Sequence, residues 1–231
     1  MTFFPDSFES ALRLILTLDR ELLDVIIVSL NVSISSTLIA GLIGIPLGMF
    51  VSLKEFAAKR LVITCLNTLL ALPTVVIGLM VYTFISRKGL LGSLDLLYTQ
   101  KAIIIGQIIL ITPILTTYTI SAVSRIDDRY RKTSLTLGAS GLQTALVIMR
   151  EARFSLVAAV IIAFGRVIAE VGISMMLGGN AKGFTRTMTT AMALEYDKGE
   201  FVLSIALGLI LLLISFSVNI ILNYFQGKSR I

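Results

Sequence analysis

Arg166 and Glu170 stand four residues apart in a stretch, 154–181, that is otherwise almost wholly apolar. At that spacing an arginine and a glutamate share one helix face and can pair. Just downstream lie the hydroxyls of Ser174, Thr185, Thr187, Thr189 and Thr190, with Gly172, Gly178 and Gly179 among them. Hydroxyls and glycine-exposed backbone amides can hold a tetrahedral dianion by hydrogen bonds, especially at a helix N-terminus. Threonine is also common in apolar helices for packing, so both readings of these hydroxyls stand. Covalent chemistry has no footing here. The chain has no histidine, a single cysteine (Cys65) and no GxxxxGK[ST] phosphate loop. No catalytic set and no metal-ligating set is expected, and the chain cannot hydrolyse ATP by itself.

The elements that must position these residues are membrane helices. Of 231 residues, 56% are hydrophobic and 15% charged, where a soluble domain carries roughly a quarter charged. Mean hydropathy is +0.93. A helix needs about 20 apolar residues to cross the hydrocarbon core, and spans are expected at about 25–53, 61–86, 102–124, 154–171 and 201–225. Residues 172–200 read as an irregular connection, partly re-entrant or not, and 228–231 as a tail. Nothing is left over for a separate soluble domain. Residues 1–24 lack the basic start of a signal peptide. Pro5, Asp6 and Glu9 suggest a capping box, and Phe8, Leu12, Ile15 and Leu16 an amphipathic helix lying in the interface.

Charge sets orientation. The formal net charge is +6, and the bases Lys54, Lys59 and Arg60, then Arg125 to Arg153, then Lys228 and Arg230 fall on one side of a five-span chain. The positive-inside bias makes that side cytoplasmic, with the N-terminus outside and the C-terminus inside, and accounts for the basicity without nucleic acid. Inside a span, Arg166 and Glu170 are expected to pair and face protein or a cavity. They are either a structural ion pair or part of a pathway or its gate. Pro73, in LPTVVIG (72–78), has the same two readings, helix packing or pathway lining.

The loop 125–153 is too polar to span. It reads as a helix over Arg129–Leu137, a turn at Gly138–Ser140 and a second helix over Leu142–Ala152. Leu135, Leu137, Leu142, Ala145, Leu146 and Ile148 form an apolar stripe that must either pack on the chain's own spans or dock a cytoplasmic partner. The segment LGASGLQTALVIMREARFSLVAA (137–159) resembles the cytoplasmic coupling loop of ABC-transporter permease subunits, whose pattern runs Glu-Ala-Ala, three residues, Gly. Lys132, Thr133 and Ser134 replace Glu-Ala-Ala, and Arg150 and Glu151 stand where Leu-Pro is frequent. The resemblance implies an all-α integral membrane fold, five transmembrane helices of the ABC-importer permease type, working as a homodimer. It implies that Lys132, Leu135, Gly138, Ala139, Ser140, Leu142 and Gln143 couple the chain to a cytoplasmic ATPase subunit dimer, which carries the ATP and Mg. This chain is expected to bind no cofactor.

A second segment, GRVIAEVGISMMLGGNAKGFTRTMTTAMALEYDKGEF (165–201), is similar to oxyanion permeases of the molybdate/tungstate type and looks closest to the tungstate branch. Arg166, Glu170, Gly172, Gly179, Asn180 and Thr187 carry the match. The implied cargo is tungstate, with molybdate or another oxyanion as the alternative, delivered by an extracytoplasmic oxyanion-binding protein. Pathway or gating candidates are Arg166, Glu170, Pro73, Asn180, Thr187 and Thr189. A secondary transporter driven by an ion gradient is the rival of another class. Such proteins show internal repeats, and this sequence has none.

Overall fold

In the computed structural model, the described residues are 3–17 and 19–228, with side chains from Phe8 to Phe225. Among them every long element is helical: α1 Phe3–Leu16, α2 Arg20–Leu53, α3 Lys59–Leu70, α4 Thr74–Ile85, α5 Gln100–Ser124, α6 Asp128–Thr136, α7 Gly141–Glu151, α8 Arg153–Ile168, α9 Gly172–Gly178, α10 Met188–Lys198 and α11 Phe201–Lys228. Three helices, α2, α5 and α11, are long and apolar enough to cross a membrane. Two bent pairs, α3 with α4 and α8 with α9, raise the number to five if each counts as one broken span.

The departures from the sequence reading have local causes. The expected span 61–86 is interrupted at Ala71–Pro73, because proline lacks the N–H that would continue the ladder and disfavours helix in the residue before it. Residues 172–200, read as irregular, contain two helices, α9 and α10, joined by an irregular, turn-rich connection over 179–187. The helix of the first span starts earlier than expected, at Arg20. The Asp19 carboxylate caps it, accepting the Glu21 N–H at 2.9 Å and the Leu22 N–H at 3.3 Å. In α1, Ala11 is buried while Leu12 and Leu16 are exposed. That helix begins at Phe3, ahead of the proposed cap. The Asp6 side chain lies outside the described residues, and so does Arg230 of the tail.

The fold divides into two compact units. The first comprises Met1–Ser36, Pro73–Gln107 and Gly165–Ser217. Its apolar centre includes Val28, Val32 and Ile103. Helices α5 and α9 meet there at Gly106, where an added Cβ would fall 2.5 Å from Ile173 Cγ2 and 2.6 Å from Leu177 Cδ1. Gln107, buried in this unit, accepts a hydrogen bond from Ser36 Oγ at 2.7 Å and donates to the Val167 carbonyl at 3.4 Å. The second unit comprises Thr37–Leu72, Ile108–Phe164 and Val218–Ile231. Within it α2 and α5 approach closely, since a Cβ on Gly48 would sit 2.7 Å from the Thr116 carbonyl oxygen. Met49, Val123 and Ile148 form the cluster that seats α7 on those two helices.

Candidate functional site: a threonine-tied turn and a helical hairpin

Arg166 closes the last turn of α8, and Glu170 lies in the break before α9. Arg166 Nη1 donates to Glu170 Oε2 at 2.9 Å. The other carboxylate oxygen, Oε1, accepts the Ile173 N–H at 3.2 Å. It satisfies one of the open amides at the start of α9, where no side chain of the N-cap residue does so. The two ends differ in setting: Glu170 is 3% exposed, whereas the Arg166 side chain is 41% exposed.

The threonines tie this break to α10. Thr187 and Thr190 form a capping box: Thr187 Oγ1 accepts the Thr190 N–H at 3.4 Å and Thr190 Oγ1 accepts the Thr187 N–H at 2.9 Å. Thr189 Oγ1 donates to the Glu170 carbonyl at 2.7 Å. Thr185 Oγ1 donates to the Gly178 carbonyl at 2.6 Å and accepts the Ala181 N–H at 3.0 Å. Asn180 turns the chain with a left-handed φ of 53° and donates from Nδ2 to the Thr190 carbonyl at 3.2 Å. The fold thus gathers Arg166, Glu170, Asn180, Thr187 and Thr189 around one turn. Pro73 precedes the first turn of α4, whose Thr74 packs on Gly172 at the start of α9. Thr187 and Thr189 have internal partners, while Ser174 Oγ and Asn180 Oδ1 are buried with no hydrogen-bond partner among the described residues.

One cluster in the same unit escaped the sequence reading. Arg186, 9% exposed, lies 3.6 Å from both Glu21 and Glu195. Lys182 pairs with Glu21 at 2.6 Å and Lys198 with Glu195 at 3.1 Å. The signal was present in TRT (185–187), where an arginine sits between two threonines. One partner, Glu195, lies nine residues on, and the other, Glu21, is remote in sequence.

The coupling candidates lie in the second unit. Asp127 caps α6, accepting the Arg129 N–H at 2.9 Å. The turn closes with Gly138 at φ +81°, a conformation that suits glycine, and with N–H groups of Gly138 and Ala139 donating to the carbonyls of Leu135 and Ser134, both at 3.0 Å. Ser140 and Gln143 then form a capping box that starts α7: the Gln143 side-chain oxygen accepts the Ser140 N–H at 2.7 Å. Both helices begin and end within a residue or so of the positions read from sequence. Ser140 and Gln143 are occupied with holding the turn, and Gly138 and Ala139 shape it. The apolar groups left facing outward include Leu135, Leu137 (81% exposed), Leu142 (74% exposed) and Leu146. Lys132 pairs with Asp128 at 2.8 Å. The Lys132 hydrogen bond and charge hold the Asp128 carboxyl below its ordinary range, and Asp128 in turn raises Lys132.

Sequence comparison decides what this arrangement belongs to. Residues 44–231 match the family described as binding-protein-dependent transport system inner membrane component. The chain belongs to that family. It is therefore a multi-pass inner-membrane permease component of a transport system that works with a binding protein. The chain is 38% identical over 228 residues to the tungstate uptake system permease protein of Peptoclostridium acidaminophilum, covering 99% of this chain and all of the relative. It is 41% identical over 221 residues to the protein of the same description from Campylobacter jejuni, covering 96% and 92%. A probable anion ABC transporter permease protein of Haloferax volcanii is 36% identical over 213 residues, covering 90% and 92%.

Proposed function

We propose that this permease carries tungstate inward across the cytoplasmic membrane, driven by ATP hydrolysed on a separate subunit docked against α6 and α7. The single observation that carries the coupling reading is the pair of outward leucines, Leu137 and Leu142, on either side of the Gly138 turn. An exposed apolar patch rimmed by charge marks an interaction surface. Lys132 and Leu135 flank that patch, while Ala139, Ser140 and Gln143 keep the turn in shape for the contact. The tungstate reading is supported by relatives so described that match nearly the whole chain.

The rest follows from the same reading. Two copies enclose the route, and an oxyanion-binding protein delivers cargo on the outer face. The N-terminus lies outside and the hairpin and C-terminus inside. ATP and Mg stay on the partner subunit, and this chain holds no cofactor. Arg166, Glu170, Pro73, Asn180, Thr187 and Thr189 serve the route or its gate by holding the α8–α9–α10 turn in one of two access states, whose populations the nucleotide biases. Molybdate is the second cargo to consider, because a relative from Pyrococcus furiosus at 27% identity is described as a molybdate/tungstate permease. The test is ATP-dependent tungstate uptake by the permease reconstituted with its ATPase and binding protein. Gly138→Asp should leave the protein in the membrane and abolish uptake. Normal uptake in that variant would reject the docking role.

A further inference from the structure

The second unit contains an apolar groove of about 500 Å³ between the end of α2 and α7. Met49, Phe50 and Leu53 form one wall and Leu142, Leu146 and Met149 the other, and the one charged residue on its lining is Lys54. We propose that this groove holds an acyl chain of an anionic phospholipid whose phosphate rests on the Lys54 ammonium. The inference is independent of the cargo and relies only on α2 being a membrane helix that ends at the inner surface.

Three observations favour a lipid over the other occupants. First, Lys54 is the first charge after the apolar run of α2, so it marks the edge of the hydrocarbon layer. From Lys54 back to Ile45, which also lines the groove, the helix runs about 13 Å at 1.5 Å per residue. With Lys54 at the headgroup level, the groove extends from there toward the hydrocarbon. Second, the neighbouring cations are engaged: Lys59 pairs with Glu55 at 2.8 Å and Arg131 donates to the Leu53 carbonyl at 3.3 Å. Lys54 has no ion pair among the described residues, which leaves its ammonium open to a headgroup. Third, the lining is apolar apart from that one ammonium, which is the combination of chain and charge that an anionic lipid presents. A lipid supplies both the apolar chain and the anion, at the depths where the groove and Lys54 lie. Seated there, it would bind the exposed flank of α7 to the bilayer, with Leu142 shared between the groove rim and the docking patch.

The test uses the permease assembled with its ATPase subunit, exchanged into phosphatidylcholine micelles and offered phosphatidylglycerol, with retained lipid read by native mass spectrometry. Phosphatidylglycerol should be retained in preference to phosphatidylcholine. Lys54→Gln should weaken that retention about fivefold, the size expected for one basic residue at a membrane surface, while Lys54→Arg should preserve it. Leu146→Gln, at a position already exposed, should weaken retention of both lipids. Equal retention of the two lipids, or Lys54→Gln without effect, overturns the proposal. So does a cross-link from Leu146→Cys to a second permease or to the ATPase in the intact complex. Retained lipid is measured without transport, so this result and the cargo assignment fail separately.

Discussion

Glu170 is the buried end of an uneven ion pair, and that asymmetry makes a sharp prediction. Arg166→Gln strands a dry carboxylate, a loss of about 3–5 kcal/mol for a wholly buried pair and less here because the arginine is partly exposed. Glu170→Gln keeps a side-chain oxygen for the Ile173 N–H and leaves a guanidinium free to turn toward a polar surface. The thermal midpoint of the detergent-purified protein should therefore fall further in Arg166→Gln than in Glu170→Gln, with the double variant recovering part of the loss. The reverse order would remove the case for Glu170 as the burdened end. The pairing itself was legible from a four-residue spacing. Glu170's second bond, to Ile173, was not, because it exists only where α8 breaks before α9. Charge at the hairpin follows simpler rules. Asp128 titrates below its ordinary range, so its pairing with Lys132 supports α6 above that range and is lost as pH falls through the lowered value. Helix content of the hairpin should fall in acid in wild type, and Asp128→Asn should lower it at neutral pH while matching wild type in acid.

Among elements, the glycines of α2 separate close contact from mere composition. Gly48 meets the α5 backbone, so Gly48→Ala should lower stability by about 1–3 kcal/mol through overpacking. Gly41 has nothing within 4 Å of a built Cβ, so Gly41→Ala should be neutral or stabilise by up to about 1 kcal/mol through helix propensity. Urea or thermal unfolding of the two variants checks the contrast; similar effects would refute the packing seen at Gly48. Ser140→Ala should cost about 1 kcal/mol in the hairpin by removing its cap. Sequence alone could not rank these glycines, because a run such as Gly41, Gly44, Gly48 shows small residues without showing what they face. The hairpin was readable for the opposite reason: its caps, turn and stripe are all local. The α9–α10 turn was missed because its order comes from Thr189 reaching the Glu170 carbonyl and from Ser29 Oγ accepting the Met188 N–H, bonds between distant parts of the chain.

For the whole molecule, the two sets of candidate residues fall into different compact units. Pro73, Arg166, Glu170, Asn180, Thr187 and Thr189 belong to one, and Lys132 to Gln143 to the other. Helices α2, α5, α8 and α11 contribute residues to both. Variants in the first set should alter apparent affinity for cargo, and variants in the second should alter how much transport each ATP supports. Measuring uptake and ATP hydrolysis side by side in vesicles tests that division; a Leu142→Ala variant that changed affinity for cargo and left the ratio intact would contradict it. Tungstate and molybdate have nearly the same size and charge, so the two should compete for uptake, and selectivity is best sought in the binding protein.

The seating of α7 has one further consequence. With Ile148 lodged against Met49 and Val123, and α2 and α5 in backbone contact at Gly48, the hairpin cannot tip without dragging two helix ends along as a solid block. Substitutions that introduce slack into that block should waste fuel: ATP would still be consumed while less cargo crossed, well before the amount of folded protein declined.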